Sequence, residues 1–438
     1  MQHIQELVEK KQRTERVIQF GEGGFLRGFA DWMLQKLNVD GRWEGSVVIV
    51  QPLQKGMCGR LMEQNGIYTH VLRGLEQGRP VVQRDVIDVV SRCINPYEDF
   101  EGYRQLAHQP ELRFVISNTT EAGIVYEPDD TPENTPPKSF PAKLAVLLYK
   151  RFCARLPGFI ILPCELIEQN GEKLRQIILR YAKEWDLGAG FESWVKRENH
   201  FCNTLVDRIV TGFPKGEDLH LGYVDQMVDT SELFHLWVIE GDRALAKELP
   251  LHDIGLQVVW TDDLAPYRTR KVRILNGAHT ALVPYAMLRG FDTVKGCVDD
   301  PEMLAYIKRC IFDEIIPTLD LPREELTQYA NSVLERFGNP YIRHYLSSIA
   351  LNSVSKFRVR VLPSILEYQK RYRQLPPTLT FAFAKLIDFY QTNMANDDEN
   401  VLELMRTSTL AEILSNEMLW GADLGFMKDE VGRYADKD

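Results

Sequence analysis

The sequence predicts an α/β chain, with a parallel-sheet domain first and a mostly helical domain after it. Three observations carry that expectation. Short β-branched runs at 16–20, 46–51, 86–90, 114–118, 158–162 and 234–238 alternate with amphipathic stretches such as 142–155 and 172–184, the pattern of βαβ units. Beyond about residue 264, apolar residues recur at helical spacing over 270–288, 301–312, 323–337, 345–356, 364–372, 378–390 and 400–414. Directly after the first strand-like run stand three glycines, Gly21, Gly23 and Gly24, the kind of turn that opens a dinucleotide-binding fold. The expected fold is therefore a Rossmann-like N-terminal domain, 1–263, followed by a mostly α-helical C-terminal domain, 264–438. A cleft between two such domains is where a ligand is expected.

Composition narrows the partners. The chain has 438 residues, is 44% apolar and carries a formal charge of −10. That length suffices for two or three domains with a buried core. The acidic balance argues against a nucleic-acid partner, which calls for a basic stripe, yet leaves room for a local cationic pocket. No apolar run reaches the ~18 residues of a membrane span, and the first stretch, "MQHIQELVEKKQRTER", lacks a signal core. Seven scattered cysteines with no C-x-x-C pair read as reduced thiols rather than a zinc site. A cytoplasmic protein without metal or membrane contact is expected, as a monomer or a small homo-oligomer. The proline-rich segment 127–140 reads as an exposed loop.

In the first loop, "VIQFGEGGFLRGF", Gly21 and Gly23 have the spacing for a tight turn that lets backbone approach a pyrophosphate. The following helix would aim free N–H groups at it, and Arg27 could add a charge-assisted hydrogen bond. Phe20, Gly21, Gly23, Gly24, Phe25 and Arg27 are the cofactor candidates here. A plain strand–turn–helix carries the same glycines, and Leu26 stands where a third glycine is usual. The second strand ends in Gln51, whose neutral amide can bond a ribose hydroxyl; that leans to NAD over NADP. In "VISNTTEAGI" a strand runs into Asn118, Thr119, Thr120 and Glu121. Polar residues at a strand's carboxyl end lie where α/β domains bind cofactors, and the same residues also cap helices.

The densest block is "PYRTRKVRILNGAHTALVPYAML", 266–288. On a helix, Lys271, Asn276 and His279 fall within an arc of roughly 140°. A desolvated lysine can act as general base toward an alcohol. An amide can hold a developing alkoxide, and an imidazole can bond a second hydroxyl. The competing view makes Lys271 part of a solvated basic face and His279 a satisfied core residue. Asp207, beside Arg208 in an apolar stretch, is either half of a structural ion pair or a site residue. Segment 336–360, with Arg343, His344, Lys356, Arg358 and Arg360, is either a solvated face or a receptor for a carboxylate.

Lys271, Asn276 and His279 spell K-x-x-x-x-N-x-x-H, and with that set the chain resembles the polyol-specific long-chain dehydrogenases, the mannitol dehydrogenase family, over nearly its whole length. The resemblance implies metal-free hydride transfer between C–OH and NAD, with Lys271 as general base, Asn276 supporting the oxyanion and His279 binding substrate. The blocks "QFGEGGFLRGFADW", "LPCELIEQNG", "FCNTLVDRIVTG" and "LFHLWVIEG" look most like family members that act on sugar acids. Polyol-oxidising members read S-C-D-N where this chain has Pro163-Cys164-Glu165-Leu166. Leu166 cannot supply that amide, and Asn170 is the nearby candidate. Mannitol-type members also carry glutamate where this chain has Arg268, and arginine where it has Ser348. An arginine suits a carboxylate, so Arg268 and Lys356 are the expected carboxylate contacts, with Asp207, Asn170 and His344 completing the substrate set. The implied reaction interconverts D-tagaturonate and D-altronate. Fructuronate or a polyol is the competing substrate, and an NAD-binding regulatory protein without catalysis is the reading from another class.

Overall fold

The computed structural model describes residues 1–120 and 122–435; Glu121, one of the expected cofactor residues, lies outside them. Two compact units divide the chain. The first comprises Met1–Arg73 and Val81–Leu264, the second Gly74–Pro80 and Ala265–Asp438. Among the described residues no helix is long and apolar enough to cross a membrane.

Thirteen strands are described, all with at least part of their length in the first unit: β1 (Glu15–Phe20), β2 (Ser46–Val50), β3 (Tyr68–Glu76), β4 (Arg79–Ile87), β5 (Val90–Ile94), β6 (Phe114–Ser117), β7 (Ile160–Pro163), β8 (His200–Phe201), β9 (Asn203–Asp207), β10 (Val210–Gly212), β11 (Asp229–Ser231), β12 (Leu236–Glu240) and β13 (Val258–Thr261). Six of them form one sheet in the order β5-β2-β1-β6-β7-β8, parallel at every pairing. This is the doubly wound order of dinucleotide-binding domains, and it reverses direction between β1 and β6. Parallel strands buried on both faces need apolar residues throughout. Along β1, Val17 joins one core with Val47, Phe114 and Trp237, while Ile18 joins the opposite core with Val48, Val115 and Leu144.

Two smaller sheets, β10-β11-β3-β4 and β13-β12-β9, complete the unit. The expected strand 86–90 is not one strand. The chain breaks at Asp88, whose carboxylate pairs with Arg13 at 3.0 Å and takes the Lys11 N–H, so β4 ends and β5 begins there. The β3–β4 hairpin turns at Gln77-Gly78, both with positive φ (52° and 75°), as a tight two-residue hairpin turn requires.

The helix after the glycine turn runs 24–40 and contains a π turn over Arg27–Asp31. It packs on the smaller sheet at Gly28, where an added Cβ would stand 2.7 Å from both Asp229 Oδ2 and His70 Cε1. Both neighbours are wholly buried and cannot swing away. Gly28→Val is therefore expected to destabilise the protein by about 1–3 kcal/mol through overpacking, read as a lower urea midpoint at unchanged m-value. An unchanged midpoint would show that the helix shifts freely on the sheet.

In the second unit the helices follow the expected periodicity with two interruptions. Segment 345–356 divides into Leu346–Ile349 and Ser353–Arg360 at Asn352, which adopts a left-handed conformation (φ 54°). Segment 400–414 divides into Glu399–Thr407 and Leu410–Ser415, the second opened by a capping box between Thr409 and Glu412.

Candidate active site

The carboxyl ends of β1 and β6 meet at the sheet's reversal point, where such folds bind ligands. Gly21 leaves β1 with φ 120°, and a Cβ there would lie 2.9 Å from the Asn118 carbonyl, whereas nothing lies within 4 Å of the same position on Gly23. One glycine is thus demanded by a close approach inside the protein, and the other leaves open space in front of a helix N-terminus. That combination fits a pyrophosphate cradle. Gln19 steadies the turn by donating to the Gly21 carbonyl at 3.0 Å. The Phe20 ring is buried against Tyr103 and Phe140, so only its backbone faces the turn, while Phe25 stacks on Phe29.

On the β6 side, Asn118 donates to the Cys164 carbonyl at 3.0 Å, and Thr120 sits at φ 72°, a strained value for a branched residue. A buried carboxylate holds this turn. Glu165 accepts from the Thr119 N–H and hydroxyl, each at 2.9 Å, and from the Ser117 hydroxyl at 3.0 Å. Burial pushes its pKa upward against these donors. Sequence reasoning passed over Glu165 as a holding group, although its place in the departed S-C-D-N block was the available signal.

Three expected ligand contacts turn inward instead. Arg27 is buried and donates to the carbonyls of Glu22 (3.1 Å) and Met227 (2.5 Å) over the Tyr68 ring, so it ties the glycine turn to a distant loop. Gln51 spends both N–H groups on Leu53 (2.8 Å) and Gln54 (3.1 Å) carbonyls, while its oxygen takes the Cys58 N–H, and so shapes its own loop. Asn170 has zero exposure. Its amide donates to the carbonyls of Pro163, Glu165 and Thr204 and accepts the N–H groups of Gly171 and Thr204, which leaves no capacity for a substrate. Leu166 is exposed. Asp207 ends β9 in a buried position, and the neighbouring Arg208 satisfies itself on the Gly28 and Glu232 carbonyls over the Trp32 ring.

In the second unit, residues 265–288 form one helix whose middle is a π turn over Lys271–Asn276. The Gly277 N–H reaches back five residues to the Val272 carbonyl. A π turn has more residues per turn than an α-helix, so residues five apart are offset by less than the ~140° of a regular α-helix. Single π turns of this kind concentrate at functional sites. Lys271 and Asn276 are half-buried. His279 follows on the same helix, stacked on Phe337 with ring centroids 4.0 Å apart and edge-on to His344 at 5.4 Å. Its Nε2 is buried without a hydrogen-bond partner among the described residues. Burial first, then His344, Arg336 and Arg360, hold its pKa well below the ordinary histidine value, so His279 is a neutral donor or acceptor at neutral pH.

The remaining cationic candidates divide by partner. Lys356 donates to the Ile349 carbonyl at 2.8 Å, and burial draws its pKa down. Arg358 reaches the Met418 carbonyl. Arg268 is half-buried one turn before Lys271, and the neighbouring Arg270 is taken up by Glu325 and the faces of Tyr267 and Tyr329. The structure thus carries Lys271, Asn276 and His279 on one helix with a π turn, sets His344 edge-on to His279, and engages Arg27, Gln51 and Asn170 with partners inside the protein.

Comparison with known proteins follows the same division. Residues 15–253 match the family model of the mannitol dehydrogenase Rossmann domain, and residues 263–427 that of the mannitol dehydrogenase C-terminal domain. An altronate oxidoreductase of Bacillus subtilis (strain 168) is 46% identical over 97% of this chain and 92% of its own. One from Klebsiella pneumoniae (strain 342) is 50% identical over 87% of this chain and 80% of its own. Among solved structures, a substrate-free D-sorbitol dehydrogenase superposes with a TM-score of 0.83 at 21% identity, covering 98% of this chain and 96% of that one. The Pseudomonas fluorescens mannitol 2-dehydrogenase ternary complex with NAD and D-mannitol gives 0.68 at 21% identity, covering 97% and 91%. At that identity the two structures speak to the fold alone.

Proposed function

The chain belongs to the mannitol dehydrogenase family, and on that premise we propose that it interconverts D-tagaturonate and D-altronate with Lys271 as the acid–base group. It is an NAD-dependent oxidoreductase of CH–OH groups. The altronate oxidoreductases that are 46–50% identical to it support the substrate. The observation that carries the chemistry is the helix with a π turn that bears Lys271, Asn276 and His279, whose Nε2 is buried without a partner among the described residues.

The turn Gly21–Gly24 and residues Asn118–Thr120 would hold the dinucleotide. Bound there, NAD would supply the hydride exchange at the carbinol carbon that balances the proton handled by Lys271. In oxidation, Lys271 Nζ accepts the proton of the reacting hydroxyl; in reduction it gives the proton back. The Asn276 amide donates to the oxygen as negative charge develops there. His279, kept neutral, bonds a neighbouring hydroxyl without adding a charge that would compete with Lys271. Arg268 and Lys356 are candidates for the substrate carboxylate, and Asp207 and His344 for its hydroxyls.

The test is a panel of altronate, mannonate and mannitol, each with NAD and NADP. We expect altronate with NAD to exceed mannitol in kcat/KM by at least ~10²-fold, because a site built for a polar group rejects the analogue lacking it. Mannonate as best substrate would move the assignment to the fructuronate enzyme, and mannitol as best would defeat the carboxylate argument. NADH binding without turnover of any of the three would favour a regulatory protein.

A further inference from the structure

Between the first two glycines of the opening turn stands an acid, Glu22, whose side chain reaches the loop that follows β2. Glu22 Oε1 accepts the Met57 N–H at 3.1 Å, and Gln51 Oε1 accepts the next one, that of Cys58, at 3.3 Å. Gly56 shows how closely the two side chains converge. A Cβ there would collide with Glu22 Oε1 and stand 2.5 Å from Gln51 Oε1. Glu22 keeps 8% of its surface exposed. Burial raises its pKa, while the N–H groups of Met57 and of Glu22 itself and the charge of Arg27 oppose that rise. Two N–H groups leave a carboxylate, with about four acceptor sites, capacity to spare.

In a dinucleotide-binding sheet, an acid at the carboxyl end of the second strand ordinarily bonds the adenosine ribose and leaves no place for a 2′-phosphate. Here β2 is followed by Gln51, and its amide is engaged by Leu53, Gln54 and Cys58. The carboxylate beside it comes from the glycine turn instead. A cavity of about 440 Å³ opens on the same loop, with Gln51, Gly56, Cys58, Asn95 and Glu98 on its wall, a size that suits a small-molecule site. Lys55, also on that wall, is exposed and is the group that would favour a phosphate. We propose that Glu22 is the specificity residue of the cofactor site, accepting from the adenosine ribose and refusing NADP by repelling its 2′-phosphate. Gln51 then positions the loop against which Glu22 rests. This inference rests on the dinucleotide reading of the turn given above. It differs from a latch, in which Glu22 does no more than fasten the turn to the Met57 N–H.

The experiment titrates the protein, without substrate, with NADH and with NADPH by fluorescence. It compares the unaltered chain with Glu22→Gln and Glu22→Asp and adds a thermal melt of each. The unaltered protein should bind NADH at least ~10²-fold more tightly than NADPH, because the second meets an unpaired like charge. Glu22→Gln keeps an oxygen for the Met57 N–H and removes the charge, so its Tm should stay close to the original. Its NADH affinity should fall by about tenfold with the loss of a charge-assisted hydrogen bond. NADPH should tighten, so that the NADH-to-NADPH affinity ratio drops by more than that factor. Glu22→Asp keeps the charge and should keep most of the ratio. The proposal is overturned if the unaltered protein binds both dinucleotides equally, if Glu22→Gln leaves the ratio unchanged, or if Glu22→Asp loses it as fully as Glu22→Gln. A lower Tm with equal weakening of both dinucleotides is the signature of a latch and overturns it too. If the unaltered protein binds neither dinucleotide, the reading of the turn fails first, and that result is visible before any variant is made.

Discussion

Lys271→Ala is expected to lower kcat by roughly 10²–10⁴-fold, the range that general acid–base groups contribute, with the dissociation constant of NADH unchanged. The separation of effects follows from where the residue sits. Lys271 begins the π turn of a helix in the second unit, whereas the glycine turn and its Glu165-held partner belong to the first. Alanine is the strongest helix former, so removal of a half-buried lysine should leave Tm close to its original value. The variant would then be folded and cofactor-competent, with no base for the hydroxyl. Lys271→Arg should be nearly as inactive, because a guanidinium does not give up its proton in the accessible pH range. Small primary amines added to Lys271→Ala should restore part of the rate, and the rescue should grow with the fraction of neutral amine. Activity within tenfold of the unaltered enzyme across pH would exclude Lys271 as the acid–base group.

The elements that were legible in the sequence are those whose signal is local. Strands β1, β2, β6 and β7 are short runs of buried branched residues, and their apolar character follows from burial on both faces of a parallel sheet. The β3–β4 hairpin was not legible: β4 is mostly exposed, contains Pro80, and its turn residue is glutamine rather than asparagine or aspartate. Lys271, Asn276 and His279 were visible as a spaced set. The π turn in the helix that bears them was not, since nothing in "KVRILN" separates a five-residue from a four-residue hydrogen-bond register. Arg27, Gln51 and Asn170 have partners inside the protein that the sequence did not announce. Each is a polar side chain in the right neighbourhood, but two of them are satisfied by carbonyls far along the chain, Met227 for Arg27 and Thr204 for Asn170. A polar residue near a site reads as a ligand until its remote partner is known. Glu165 is the converse, a holding group whose donors lie 46 to 48 residues upstream.

The glycine turn gives a paired prediction in which two adjacent substitutions should part company. Gly21→Ala places a methyl at φ 120°, a region closed to side chains, and 2.9 Å from the Asn118 carbonyl. That carbonyl cannot retreat. The Asn118 N–H is bonded to Phe20 and its side chain to Cys164, so β1, β6 and β7 would have to separate. Strain of about 1–3 kcal/mol should lower the unfolding midpoint and weaken NADH binding together. Gly23→Ala meets nothing within 4 Å and has ordinary extended backbone (φ −66°), so its Tm should hold or rise slightly as the unfolded chain loses freedom. Its methyl nevertheless fills the open space in front of the helix that begins at Gly24. If a pyrophosphate occupies that space, NADH affinity falls by at least about tenfold in Gly23→Ala, because the phosphate loses its approach to the backbone N–H groups. Fluorescence titration with NADH and a thermal melt on both variants distinguish the outcomes. Loss of affinity in Gly21→Ala alone would mean that the turn matters only as part of the fold. Loss in Gly23→Ala at unchanged Tm would place the cofactor's phosphates at that glycine.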